Sequence, residues 1–198
     1  MIAIVDYGAG NLNSVKKAFD YLGADVVVTA QPEVVAVADK IVLPGVGHFS
    51  ALSGLDNTGL RDAVLGGVNA GKPFLGICLG MQWLFEGSDE APEFAGAGIL
   101  RGRCQPFPSL VKSPHVGWNS LTVRKQSPLL RGVAADSFVY YTHSFQAPVV
   151  AATTAASDYG TQFSAVVEQD KIFGVQFHPE KSSTVGLRIL RNFCEAEL

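Results

Sequence analysis

Short apolar runs alternating with helical patterns fill the first half of the chain and leave few folds open to it. Ile2–Val5, Asp25–Thr29, Ile41–Leu43 and Pro73–Ile77 are rich in aliphatic and β-branched residues. Such runs belong to strands covered on both faces. Between the first two lies Asn11–Leu22, which carries Leu12, Val15, Phe19 and Leu22 at helical spacing, with Gly23 placed to stop it. Pro32 suits the first position of a short helix, and Leu60, Val64 and Val68 mark a longer one closed by Gly71. Strand and helix in turn predict a doubly wound α/β fold with a mostly parallel sheet. From Gly96 the pattern changes to short β runs broken by Pro and Gly, among them Ser137–Tyr141, Ser164–Glu168 and Ile172–Phe177. These predict added strands in the C-terminal half. A last helix is expected over Ser183–Cys194, with Val185, Leu187, Ile189, Leu190 and Phe193 on its apolar face.

The 198 residues suit one domain, 1–198, large enough to bury a core without cross-links. Fifteen basic and eighteen acidic residues give a net charge of −3 with no long single-sign run, which argues against nucleic-acid or membrane-surface binding. No stretch approaches the ~18 apolar residues of a membrane span. The opening Met1-Ile2-Ala3-Ile4-Val5-Asp6 has no basic leader and reads as a strand, so a soluble, cytoplasmic location is expected. Three Cys without a Cys-x-x-Cys spacing indicate neither a disulfide framework nor a zinc site, and no metal or cofactor is expected. Gly8-Ala9-Gly10-Asn11 lacks the third glycine of a dinucleotide fingerprint, so no nicotinamide cofactor is read from it.

The sharpest chemical signal is Gly76-Ile77-Cys78-Leu79-Gly80, after the fourth strand and at the start of the expected helix Leu79–Phe85. It has the form of a nucleophile elbow with Cys in place of Ser. The tight turn projects the side chain, the glycines relieve crowding, and the helix start favours a thiolate. Cys104 and Cys194 lack this context and read as structural. A thiol nucleophile needs a base. His178 ends an apolar run, and Glu180 lies two residues on, across Pro179, so the two face the same way. A carboxylate behind an imidazole is the arrangement of a catalytic triad. The backbone N–H of Leu79 is the expected first oxyanion donor. Pro44-Gly45-Val46-Gly47 is open to two readings, a second donor or a plain turn.

Pro44-Gly45-Val46-Gly47, Gly76-Ile77-Cys78-Leu79-Gly80-Met81-Gln82 and Phe177-His178-Pro179-Glu180 together resemble the class I (triad) glutamine amidotransferases. Asp6-Tyr7-Gly8-Ala9-Gly10-Asn11-Leu12, His115-Val116-Gly117-Trp118-Asn119, Tyr141-Thr142-His143-Ser144-Phe145 and Phe173–Ser182 narrow the likeness to one branch, whose members pass ammonia to a TIM-barrel cyclase of histidine biosynthesis. The likeness runs from Met1 nearly to Leu198. His48, Trp83 and Arg101 depart from it. It implies a flavodoxin-like fold and a glutaminase. In that reaction Cys78 attacks the glutamine carboxamide, His178 shuttles protons and Glu180 orients His178. Leu79 N–H and the Val46–Gly47 peptide form the oxyanion hole, the peptide after a rearrangement. Gln82, with backbone near His143 and Ser144, holds the amino-acid end of glutamine. Read by itself, His143 also suits a satisfied core or turn histidine. Lys181, Trp118, Asn119 and Tyr140 are implied to face the cyclase. A self-contained cysteine hydrolase and a non-catalytic module are the competing readings.

Overall fold

The computed structural model of this chain describes residues 1–196, so the last two positions of the expected 1–198 domain lie outside it. The first half runs β1 (Ile2–Val5), α1 (Leu12–Tyr21), β2 (Val26–Thr29), α2 (Pro32–Val37), β3 (Lys40–Gly45), α3 (Ser53–Asn57), α4 (Leu60–Asn69), β4 (Phe74–Cys78) and the short α5 (Leu79–Gln82). Then come β5 (Gly87–Ser88), β6 (Arg103–Pro106), β7 (His115–Ser120), β8 (Thr122–Val123), β9 (Phe138–His143) and β10 (Phe145–Gln146). The chain continues through β11 (Thr153–Asp158), β12 (Gln162–Gln169), β13 (Ile172–Val175) and α6 (Ser183–Glu195).

The main sheet has the order β2-β1-β3-β4-β13-β12-β11-β8. Its first five strands pair in parallel, and β12, β11 and β8 extend it antiparallel. This is the expected doubly wound sheet with antiparallel additions, in the strand order of flavodoxin-like folds. Alternation along each strand sends side chains to two cores. Ile2, Ile4, Val42, Leu75 and Ile77 pack with Val15 and Phe19 of α1 and Ile189, Leu190 and Phe193 of α6. Ala3, Val5, Ile41, Leu43 and Phe74 pack on the other face with Val35, Leu60 and Val64. The strand order reverses between β1 and β3, and Cys78 stands one strand further along, at the carboxyl end of β4.

At the amino ends of these strands, two neighbouring side chains hold Met1 and the last turn of α6. Asp39 accepts a 2.6 Å hydrogen bond from the Met1 ammonium. Lys40, buried to 7 % exposure, donates to the carbonyls of Phe193, Cys194 and Ala196 at 3.1, 2.6 and 2.6 Å. The end of α6 leaves its last carbonyls short of helical partners, that of Phe193 also accepting the Ala196 N–H at 3.3 Å.

One expected helix changes. The helix after Cys78 stops at Gln82 instead of continuing to Phe85. The amides of Leu84 and Phe85 bond the carbonyls of Met81 and Gln82, three residues back instead of four, so the α ladder tightens and ends, and the carbonyls of Trp83, Leu84 and Phe85 accept from the amides of Ala97, Leu100 and Gly98. β7 and β11 lie in the region of the added strands, but no apolar run singles either out in the sequence. β7 pairs with β9, whose Thr142 and His143 line the site described next.

Candidate active site

Cys78 closes β4 with φ 53° and ψ −106°, a left-handed backbone that a side-chain-bearing residue rarely adopts. Its neighbours explain why the strain is tolerated. A Cβ on Gly76 would overlap the Gly80 carbonyl, and one on Gly80 would overlap the Leu43 carbonyl of β3. The turn can therefore pack tightly on the adjacent strand only with glycine at both positions. β3 and β4 are in register, Gly45 opposite Cys78, so Val46 and Gly47 leave the sheet beside the thiol.

His178 follows β13 and opens the 3-10 turn Pro179–Lys181. Its backbone is pinned on both sides: its N–H donates to the Tyr140 carbonyl at 2.9 Å, and its carbonyl accepts from Ser182 Oγ at 2.7 Å. Nδ1 donates to Glu180 Oε1 at 2.9 Å, with the two side chains 3 % and 1 % exposed. That bond fixes the tautomer and leaves Nε2 for Cys78. Burial opposes charge on this imidazole, but hydrogen bonds with Cys78 and Glu180, and their charges, raise its pKa to about 10. The site thus favours a protonated His178 ring, placed between the thiol and the Glu180 carboxyl group.

Six of the sequence candidates line one cavity of about 280 Å³: Gly47, Cys78, Leu79, Gln82, His143 and Ser144. Val46 is not on its wall and is 36 % exposed. Gln82 Nε2 donates to the Phe145 carbonyl at 2.9 Å and to Gln176 Oε1 at 3.1 Å, which leaves Oε1 as its open acceptor. The imidazole of His143 is fully engaged. Nδ1 donates to the Phe145 carbonyl at 2.9 Å, so Nε2 must accept, and His115 Nδ1 donates to it at 3.0 Å. Of the two readings open for this residue, the side chain follows the satisfied core histidine, and what it offers the cavity is backbone. Burial drives the pair neutral, lowering His143 to about 3, against the pull of the Phe145 carbonyl, and His115 to about 4.

Glu90 also lines the cavity, its Oε2 accepting the Phe49 N–H at 2.8 Å. Sequence reading missed it, because a single Glu in a Ser-Asp-Glu turn carries no spacing signal. Outside the cavity, Trp118 and Tyr140 are paired in register across β7 and β9, their rings 6.0 Å apart, and Lys181 Nζ sits 5.9 Å from the Tyr140 ring centre. Trp118 is 52 % exposed, beside exposed Val116 and Phe138. Asn119 does not join that face. Its Nδ2 donates to the Asp158 carbonyl at 2.9 Å and its Oδ1 accepts the Ser120 N–H at 2.8 Å. His48 is an exposed cap, accepting the Ser50 N–H next to Gly47. Cys104 is wholly buried, and burial pushes its thiol up. Among the described residues no helix is long and apolar enough to cross a membrane, and no three or more His, Cys, Asp and Glu are grouped to hold a metal ion.

The model of the family Glutamine amidotransferase class-I matches residues 3–196. The imidazole glycerol phosphate synthase subunit HisH of Methanothermobacter thermautotrophicus is 48% identical over 197 residues, 98% of each chain. The subunit of the same name from Syntrophotalea carbinolica is 46% identical over 206 residues, again 98% of each. Among solved structures, a glutamine amidotransferase superposes with a TM-score of 0.77 at 20% identity, over 98% of both chains. PurLQS from Thermotoga maritima also reaches 0.77, at 17% identity over 98% of this chain and 97% of that one.

Proposed function

The chain belongs to the class I glutamine amidotransferases, and from that membership we propose that it is the glutaminase subunit of an imidazole glycerol phosphate synthase. It hydrolyses glutamine to glutamate and ammonia in one cytoplasmic domain. The ammonia passes to a TIM-barrel cyclase, which uses it to make imidazole glycerol phosphate and an aminoimidazole carboxamide ribotide for histidine biosynthesis. The observation that carries the chemistry is the buried His178–Glu180 pair acting on the thiol of a strained elbow that opens into a cavity.

The steps follow from these atoms. Glutamine lies in the cavity with its ammonium toward the acceptors Glu90 and Gln82 Oε1 and its carboxamide at Cys78. Sγ adds to the carboxamide carbon, and the oxygen gathers negative charge facing the Leu79 N–H. The Val46–Gly47 peptide supplies a second donor once it rearranges, each such donor contributing ~2.7–4 kcal/mol of barrier. His178 gives the proton taken from the thiol to the departing nitrogen, so ammonia leaves and a γ-glutamyl thioester remains. Water, deprotonated by His178, then hydrolyses the thioester to glutamate and restores the thiol. Glu180 holds the imidazole for both transfers. The cyclase docks on the aromatic face of Trp118 and Tyr140 with Lys181 beside it.

Cys78→Ala, assembled with the cyclase, tests this. Glutamine-dependent turnover should fall at least ~10³-fold, about 4 kcal/mol of barrier, while turnover on added ammonia survives. Near-normal glutaminase activity in that variant would remove Cys78 from the role of nucleophile.

A further inference from the structure

We propose that Gln176 is a catalytic residue, whose carboxamide N–H donates a hydrogen bond to the sulfur of Cys78 and stabilises it as the thiolate. Gln176 lies between β13 and His178, is wholly buried, and has Nε2 3.6 Å from Cys78 Sγ. Which end of a carboxamide faces the sulfur decides whether the contact helps or opposes a thiolate. Here the surrounding bonds decide it. The Phe145 carbonyl can only accept, so the group of Gln82 facing it at 2.9 Å is the amide nitrogen. The second N–H of that nitrogen points to Gln176 at 3.1 Å, so the atom receiving it is Oε1. Gln176 is thereby turned with Nε2 toward Cys78. The same carbonyl orients His143, whose Nδ1–H also ends on it. One backbone oxygen therefore sets the polarity of two branches, one of which reaches the nucleophile.

The charged and titratable groups around the sulfur are His178, backed by Glu180, and Tyr7, whose phenol burial and the nearby Cys78 hold protonated. Thr142 contributes a carbonyl, 3.9 Å from Sγ, which suits the thiol form. Gln176 adds an uncharged donor, which keeps its hydrogen bond when His178 gives its proton away. Hydrogen bonds to an ionised partner are the strong ones, and a fixed donor favours the anion.

The proposal rests on Cys78 being the nucleophile, so the experiment reads the two separately. Gln176→Met and Gln176→Leu both remove the donor but differ in shape; a loss due to the hydrogen bond is shared by them, and a loss due to packing is not. In the full chain, the pH dependence of Cys78 alkylation by iodoacetamide is followed by mass spectrometry of its peptide, which excludes signal from Cys194. Both variants should shift the midpoint upward by about one pH unit, a tenfold smaller thiolate fraction at a given acidic pH. With the cyclase bound, kcat for glutamine should fall ~10–100-fold with KM nearly unchanged. An unshifted midpoint in both variants, or a raised KM with kcat intact, overturns the role of Gln176. Alkylated wild-type protein that still hydrolyses glutamine overturns the nucleophile instead.

Discussion

Acid should destabilise this protein through two histidines that take no part in proton transfer. His115 stacks between Tyr141 and Tyr159, with ring centres 4.8 and 4.1 Å away, and donates to His143, which packs edge-on to Phe107 at 5.1 Å. Folded, the pair titrates at about 4 and about 3. Unfolded, both return to about 6.5. Between those limits the unfolded chain binds more protons, so stability rises with pH up to about 6.5 and is lost as pH falls toward 4. At pH 5.5 an unfolded imidazole is about nine-tenths protonated and the folded ones almost not at all, a difference of about 1.8 protons. That gives a slope of about 2.4 kcal/mol per pH unit. His178 has the opposite sign: its contribution is complete below about 6.5 and disappears as pH rises through about 10. His115→Phe keeps an aromatic ring in the stack and removes one titrating group, so its slope should drop to about 1.2 kcal/mol per unit. Urea unfolding at pH 5, 5.5, 6 and 6.5 measures both slopes. Glu168, raised by burial, opposes the trend but does so equally in both proteins. The variant, weaker at neutral pH because His143 Nε2 loses its donor, should converge on wild type as pH falls. Parallel curves would show that the imidazoles are not what couples stability to acid.

Gly80→Ala puts a Cβ on the Leu43 carbonyl and should cost several kcal/mol or displace the elbow, read as a lower Tm together with loss of glutaminase activity; an unchanged Tm would contradict the packing described. Tyr7→Phe removes a buried hydroxyl that has no hydrogen-bond partner and should leave stability equal or raise it by about 1 kcal/mol, measured by urea unfolding. Lys181→Ala alters an exposed side chain resting on Tyr140. Its stability should stay within about 0.5 kcal/mol of wild type, while activation of the glutaminase by the cyclase and its ligand weakens more than the activity of the chain alone; equal loss of both would place Lys181 outside the coupling.

What could be read from sequence divides along physical lines. β1, β3 and β4 are announced by apolar runs because both faces of each are buried, the edge strand β2 by a β-branched run half-buried on both, and Cys78 by glycines whose absent Cβ atoms the turn requires. β11, Thr-Thr-Ala-Ala-Ser-Asp, offers no such run. It is nevertheless buried, since Thr153 hydrogen-bonds Ser164 at 2.6 Å and Ser157 bonds Tyr141 at 2.7 Å. Partners distant in sequence make these polar side chains fit a core. β7 is hidden similarly, since the burial that lowers the pKa of its His115 comes from rings distant in sequence. Glu90 and Gln176 take their places in the site through Phe49, Gln82 and Cys78, and no local spacing records those contacts.

Asp39 and Lys40, holding Met1 and the last turn of α6, have a use in protein engineering. Met1 and Ala196 border one shallow depression at the amino ends of the parallel strands, away from the carboxyl ends where Cys78 stands. Two neighbouring points of this kind are what circular permutation joins. In a chain cut to residues 1–196, a glycine linker from Ala196 to Met1, with new ends opened at the exposed Asp170 turn between β12 and β13, reorders the strands without crossing the cavity. Such a permutant would let a reporter or tether be fused beside a central strand, with both the thiol and the aromatic docking face left uncovered.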